Sequence, residues 1–319
     1  MAPMARWLAR WAKFSMQILQ RTNANTFFGP MPSAFLRNRE LRPQNLVPVK
    51  ERKQKMLIDV NAWLGIWPFR SLRDNTPDAL ITRLDRSGID KAVVSYIEAA
   101  FHRHPQSANE RLARDVEPHD RLIPVGTINP LSPHWEDDLT ACIDFGMKGI
   151  RLFPQYHNYQ ADGAESRSVV QACAQCNLPV FIPHRLEDVR QHHWMDPGQS
   201  VDLAQLANLI ASVPDAAIII PNARPLARSP LWVREDLRDL NWYVDLSLAE
   251  IHYGLHKNTN AMKDLGYLIE EGGANHILFG THLPISYAGP ALVKLAILPV
   301  DEEALEDIKY RTAAKLLNL

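Results

Sequence analysis

Long apolar runs are missing from this chain. No stretch approaches the roughly 18 consecutive apolar residues that a membrane-crossing helix requires, so no transmembrane helix is expected. Phosphate-binding glycine motifs are missing too. Neither G-x-G-x-x-G nor a P-loop occurs, which speaks against a dinucleotide or nucleotide enzyme. There is no G-x-S-x-G, so a nucleophilic serine has little support, Ser247 included. Cysteine is scarce. Only Cys142, Cys173 and Cys176 occur, and the C-x-x-C pair closes a helical pattern instead of opening one, so it reads as two thiols without redox work. Nothing implies an oxidising compartment, and a cytoplasmic location is expected.

What is present is ordinary for a folded protein: 46% apolar and 22% charged residues over 319 positions, with a formal net charge of -1. The near-neutral balance conceals an asymmetry. Residues 1–55 hold eleven Lys/Arg against Glu40 and Glu51, a surplus of nine, which leaves the remainder at -10. The first 19 residues place Trp7, Leu8, Trp11, Phe14 and Ile18 at helical spacing beside Arg6, Arg10 and Lys13. Such a segment suits a helix capping the body of the protein, a membrane-surface or targeting helix, or a flexible tail. Pro30, Pro32, Pro43 and Pro48 then mark an arm. A basic N-terminal extension over 1–55 and one domain over 56–319 are therefore expected. The acidic body offers no continuous basic track, so no nucleic-acid partner is expected.

From residue 56 short apolar runs alternate with helical patterns. Strands are predicted at 56–61, 91–97, 122–128, 148–153, 178–183, 216–221, 242–247 and 276–281. Helices are predicted at 77–87, 108–118, 135–145, 165–176, 202–212, 231–239, 261–271, 290–298 and about 302–316. Eight strand–helix units predict an α/β fold, a closed (β/α)8 TIM barrel, with an open doubly wound sheet as the alternative. In such a barrel the chemistry sits just past the strands. Those ends carry Asn61 and Trp63, then Arg151, His157, His184, Arg185, Glu187, Asp188, Arg190, Asn222, Arg224, Asp245, Glu250, His252 and His282. The arginines suit a carboxylate ligand, or they brace the loops by pairing with the acids.

These strand ends, with the phrases IDVNAWLGIWPFR (58–70), GIRLFPQY (149–156), LPVFIPH (178–184) and HILFGTHLPI (276–285), resemble the amidohydrolase superfamily, in its amidohydrolase-related branch. That branch contains zinc-dependent decarboxylases and hydrolases of aromatic or lactone-type carboxylates. The resemblance implies a metal held by a His-x-His pair on the first strand, histidines after the fifth and sixth, and an aspartate after the eighth. In this chain the first pair falls on Asn61 and Trp63, the next two positions on or near His184 and Asn222, and the aspartate on His282. The metal-ligand motifs are thus degenerate.

Three outcomes follow. A rebuilt site could use His157, His184 and His282, with His192 and His193 as further ligands. A metal-free enzyme would move protons with His184, His282 or His157, oriented by Asp188 or Asp245. Arg151 and Arg185 would hold the anion, Asn61 and Asn222 would donate hydrogen bonds, and Trp63 and Trp67 would form an aromatic wall. A relative without catalysis would bind or scaffold only. The cofactor stays open, one divalent metal such as zinc or none. The expected partner is a small carboxylate, and a homo-oligomer is compatible with the sequence.

Overall fold

The structure, a computed structural model, describes residues 56–188, 191–224, 226, 229–247 and 261–319. The basic stretch 1–55 and its helical reading lie outside the described residues, as do Arg190, Glu250 and His252. Among the described residues nine parallel strand segments follow one another: β1 Ile58–Leu64, β2 Lys91–Tyr96, β3 Leu122–Pro124, β4 Gly126–Thr127, β5 Ile150–Arg151, β6 Val180–Phe181, β7 Ile218–Ile220, β8 Trp242–Asp245 and β9 Ile277–Leu278. β3 and β4 are one barrel strand interrupted at Val125. Pro124 has no N–H to donate, and the strand passes from one neighbour to the other there: Val125 N donates to Val94 O (2.9 Å) and Gly126 N to Gly149 O (3.0 Å). The ring closes between its ends. Val60 N donates to Phe279 O (2.9 Å), Trp63 N to Leu283 O (2.7 Å) and His282 N to Asn61 O (2.7 Å). This is the expected TIM-barrel-like α/β architecture, and the open sheet is set aside.

Two apolar clusters account for most of the body. One lies between strands and outer helices and includes Leu64, Leu84, Leu112, Val170, Ile210 and Leu295. The other fills the lower lumen, where Ile58, Val60, Val93, Val125, Phe181, Ile219 and Leu278 meet Ala313 and Leu317 of the last helix. β1 serves both because its register shifts between Asp59 and Ala62. Ile58 and Val60 face the lumen. Past the bulge the parity reverses, and Ala62 and Leu64 join the outer cluster while Trp63 joins an aromatic group at the mouth. A bulge of this kind re-aims the side chains that follow it. Asn61 and Trp63 owe their inward direction to it.

Two helices differ from expectation. The helix expected at 231–239 stops after Pro230–Val233 and resumes as a 3-10 turn at Glu235–Leu237, because Arg234 is extended and its guanidinium clasps Asp236 (2.6 and 3.1 Å). The closing helix runs from Glu302 to Leu317 but contains a π turn over Asp307–Arg311. There the Ile308 carbonyl accepts from Phe279 N (2.9 Å), so the residue that follows β9 takes an acceptor from the helix. All three cysteines are free thiols, with Cys142 and Cys173 buried and Cys176 exposed. No helix among the described residues is long and apolar enough to cross a membrane.

Candidate functional site

At the C-terminal ends of the strands, five of the expected positions meet in one buried hydrogen-bond network. Asn61 Nδ2 donates to Asp245 Oδ2 (2.8 Å) and to Asn222 Oδ1 (3.1 Å). Asp245 Oδ1 accepts from Asn222 N (3.0 Å) and from Ser247 Oγ (2.6 Å). Asn222 Nδ2 donates to the Arg185 carbonyl (2.7 Å), and the Ser247 hydroxyl also touches Asn222 Oδ1. The Arg224 guanidinium donates to the Asp245 carbonyl (3.0 Å), and the Lys294 ammonium to the Ser247 carbonyl (2.9 Å). A Cβ on Gly280 would stand 2.5 Å from Asp245 Oδ2, so only glycine lets the end of β9 come this close.

His282 and Trp63 form the other half. Trp63 Nε1 can only donate, and it lies 2.9 Å from His282 Nδ1, which must therefore accept. His282 Nε2 faces the Leu186 carbonyl at 2.5 Å and must carry the proton. Both ring nitrogens are committed and the imidazole is neutral, in the Nε2–H tautomer. Burial, with Arg151 and Arg70 as neighbouring cations, holds its pKa below the ordinary value against the pull of the Leu186 carbonyl and Asp245. A charge on Nδ1 would also break the Trp63 bond. The consequence for stability has a definite sign. Below the ordinary imidazole value of 6.5 the unfolded chain takes up a proton that the folded ring refuses, so stability is whole above that pH and falls as pH drops below it. Urea titrations between pH 7.5 and 4.5 should show wild type losing more stability than His282→Asn, a residue that also tolerates φ of 66° here. Parallel curves would contradict the assignment.

His184 follows β6, and its Nδ1 contacts the Val201 carbonyl (2.8 Å). Burial first, then Arg185, pushes its pKa down to about 4, against the carbonyls of Val201 and Arg224. His157 ends the short helix Pro154–His157, and burial lowers it to about 4 as well. Neither of its ring nitrogens makes a hydrogen bond of good geometry among the described residues, the nearest polar neighbours being the backbone of Ala99 and His102. It stands edge-on to Phe153 at 6.0 Å, outside the network. Asp188 is buried in the same loop as His184. His192 and His193 belong to their own loop: the former contacts the Gly198 carbonyl (3.1 Å) and the latter stacks on Phe69 (5.6 Å).

Arg151 is the unusual group. It is fully buried, and none of its three guanidinium nitrogens has a hydrogen-bond partner among the described residues. Its guanidinium carbon lies 3.9 Å from the Trp63 ring centroid and 5.3 Å from that of Phe181. Burial pushes its pKa down to about 9, with Asp245 and Asp59 acting the other way. Asp59 is itself raised to about 7 by burial, although it accepts from Thr281 N (3.0 Å), Asn61 N (2.9 Å) and the Thr281 hydroxyl. Trp63 continues into an aromatic wall with Phe153 (6.0 Å), and Trp67 joins the same cluster. Glu187, buried, pairs with Arg70 (3.1 Å) at its edge. The loop-bracing account of the arginines thus fails for Arg151.

Sequence reasoning did not place Asp59, Thr281, Arg70 or Lys294. A signal existed for Lys294, a lone charge inside the apolar helix GPALVKLAI. Thr281, which donates to Asp59 from both its amide and its hydroxyl, lies 222 positions away in sequence and gave none.

Residues 68–319 match the amidohydrolase family model, and the chain belongs to that family. No curated protein matches it. Among solved structures it is similar to 2,6-dihydroxybenzoate decarboxylase from Rhizobium (17% identity, 83% of this chain and 99% of that one, TM-score 0.62). It is also similar to dihydroxybenzoic acid decarboxylase from Polaromonas, which holds manganese and 2-nitroresorcinol (16%, 83% and 97%, 0.61). A third is a probable 2-pyrone-4,6-dicarboxylic acid hydrolase from Acinetobacter baumannii with citric acid bound (13%, 82% and 99%, 0.56). At these identities the likeness concerns the fold.

The family's metal does not fit the residues present. Among the described residues no group of three or more His, Cys, Asp or Glu side chains could hold a metal ion. The rebuilt site from His157, His184 and His282 is therefore not formed. Each ring is held by different neighbours, and His282 has no lone pair left to give. Amide, carboxylate and hydroxyl groups that satisfy one another occupy the network.

Proposed function

We propose that the protein acts on a small, carboxylate-bearing aromatic compound, as a hydrolase or decarboxylase of its family would, at a mouth that no longer depends on the usual metal cluster. The observation that carries this reading is the orphaned guanidinium of Arg151. A buried cation with unmet donors is costly, and such groups persist where something else satisfies them. A carboxylate matches the fork of Arg in shape and charge. Trp63, Phe153 and Trp67 supply faces on which an aromatic ring can rest. The decarboxylase relatives, whose named substrates are aromatic acids, support the substrate class.

In this reading Arg151 binds the carboxylate and Trp63 holds Arg151 in place. The network of Asn61, Asn222 and Asp245 fixes the floor beneath them. His157 is the histidine whose buried ring nitrogens make no hydrogen bond of good geometry among the described residues, and in its neutral form it can pass a proton. His282 positions Trp63 and moves no proton.

A second reading, binding without turnover, is favoured by the commitment of both His282 nitrogens. One experiment separates them. Protein stripped with a chelator is titrated calorimetrically with 2,6-dihydroxybenzoate, benzoate and citrate, and carbon dioxide release is followed in parallel. Saturable binding with carbon dioxide release supports the enzyme, and saturable binding alone supports the second reading. No binding by any carboxylate, with or without added manganese, defeats both.

A further inference from the structure

The other end of the barrel contains a separate cavity. Its residues precede the strands: Pro179 before β6, Ala217 before β7, Asn241 before β8 and Asn275 before β9. The closing helix forms the facing wall through Thr312 and Lys315. Between them lies a cavity of about 670 Å³, within the size range of small-molecule sites. It is separated from the mouth by the packed lower lumen, where Phe181, Ile219 and Leu278 meet Leu317.

Its chemistry differs from that of the mouth. Four amides line it, from Asn177, Asn241, Asn275 and Asn318. Each presents a donor and an acceptor side by side. The charges cancel, with Arg311 and Lys315 against Asp215 and Asp307. Arg311 is moreover tied to Glu306 and to Asp307 (3.4 Å). A polyanion would find no surplus of positive charge. Tyr243 adds a half-buried ring, and burial keeps its hydroxyl protonated. The π turn places this wall, because the Ile308 carbonyl, bonded to Phe279 N just past β9, anchors the helix three residues before Arg311.

Paired amides, balanced charge and one aromatic face suit a ligand whose neighbouring groups each donate and accept, and which offers C–H surface for stacking. We propose that this groove binds an uncharged polyhydroxylated molecule, a mono- or disaccharide or a polyol. Carboxylate binding at Arg151 is a separate matter, and either site can exist without the other.

The test uses the full chain and saturation-transfer NMR with maltose, sorbitol and, as an anionic control, adenosine monophosphate. Saturable transfer to maltose or sorbitol is expected. It should weaken at least about tenfold in Thr312→Trp, which fills the cavity, and in Asn241→Leu, which removes an amide at an exposed position. Circular dichroism and the unfolding midpoint show whether each variant is folded, and either folded variant suffices. Absence of transfer to both polyols overturns the proposal. So does transfer undiminished in the folded variants, or binding of the nucleotide in preference to the polyols.

Discussion

Arg151→Met is expected to weaken binding of an aromatic carboxylate by about 100-fold, equivalent to about 2.7 kcal/mol, while leaving the protein no less stable. Methionine keeps apolar packing against Trp63 and Phe181 and removes the charge. The native state then no longer buries a cation whose donors lack partners, so the unfolding midpoint should hold or rise. This opposition is the mark of a group kept for a ligand at a cost to the fold. A structural arginine would behave otherwise. If the variant loses stability and binds as well as wild type, Arg151 is a packing element and the proposed ligand site is wrong. Calorimetric titration and a urea curve on the same preparation decide the matter.

Asp245→Ala should give the largest loss of stability. The carboxylate accepts from Asn61, Asn222 and Ser247, all buried. Its removal strands these donors and takes a counter-charge from near Arg151. Breaking a buried charged network in this way costs about 3–5 kcal/mol, which for a domain of this size lowers the midpoint by about 10 °C. Asp245→Asn should recover part of the loss, because one amide oxygen still accepts. A midpoint within about 1 °C of wild type would mean that Asp245 does not organise the strand ends.

Much of the barrel was legible in the sequence because its causes are local. Apolar runs such as AAIIIP and KAVVSYI and the intervening helical periodicity each signal their element within a few residues. The loss of the metal motif was legible too, since Asn61 and Trp63 stand where a His-x-His pair is expected. Less accessible was what replaced the metal. Asn61, Asn222, Asp245 and Ser247 span nearly 190 positions, and their mutual satisfaction depends on angles that no sequence pattern records. The roles of the histidines were hidden for the same reason. His282 and His157 look equally able to move a proton when read along the chain. Only their neighbours distinguish them: Trp63 and Leu186 commit one ring, and the other is buried without a hydrogen bond of good geometry among the described residues. The bulge on β1 was likewise silent, although it decides that Asn61 and Trp63 point inward.

Asn222 and His282 both have φ near +60°, and this limits which mutations the two strand ends can accept. Apart from glycine, asparagine, aspartate and histidine tolerate that backbone best. The residues that resemblance places there, histidine after the sixth strand and aspartate after the eighth, belong to the same small set. Histidine to asparagine and aspartate to histidine are each one nucleotide change. A metal-binding ancestor could therefore exchange its ligands at these positions without disturbing the turn, and the reverse path stays open. The shape of the backbone, more than the need for a metal, would then be what holds these positions to so few residue types.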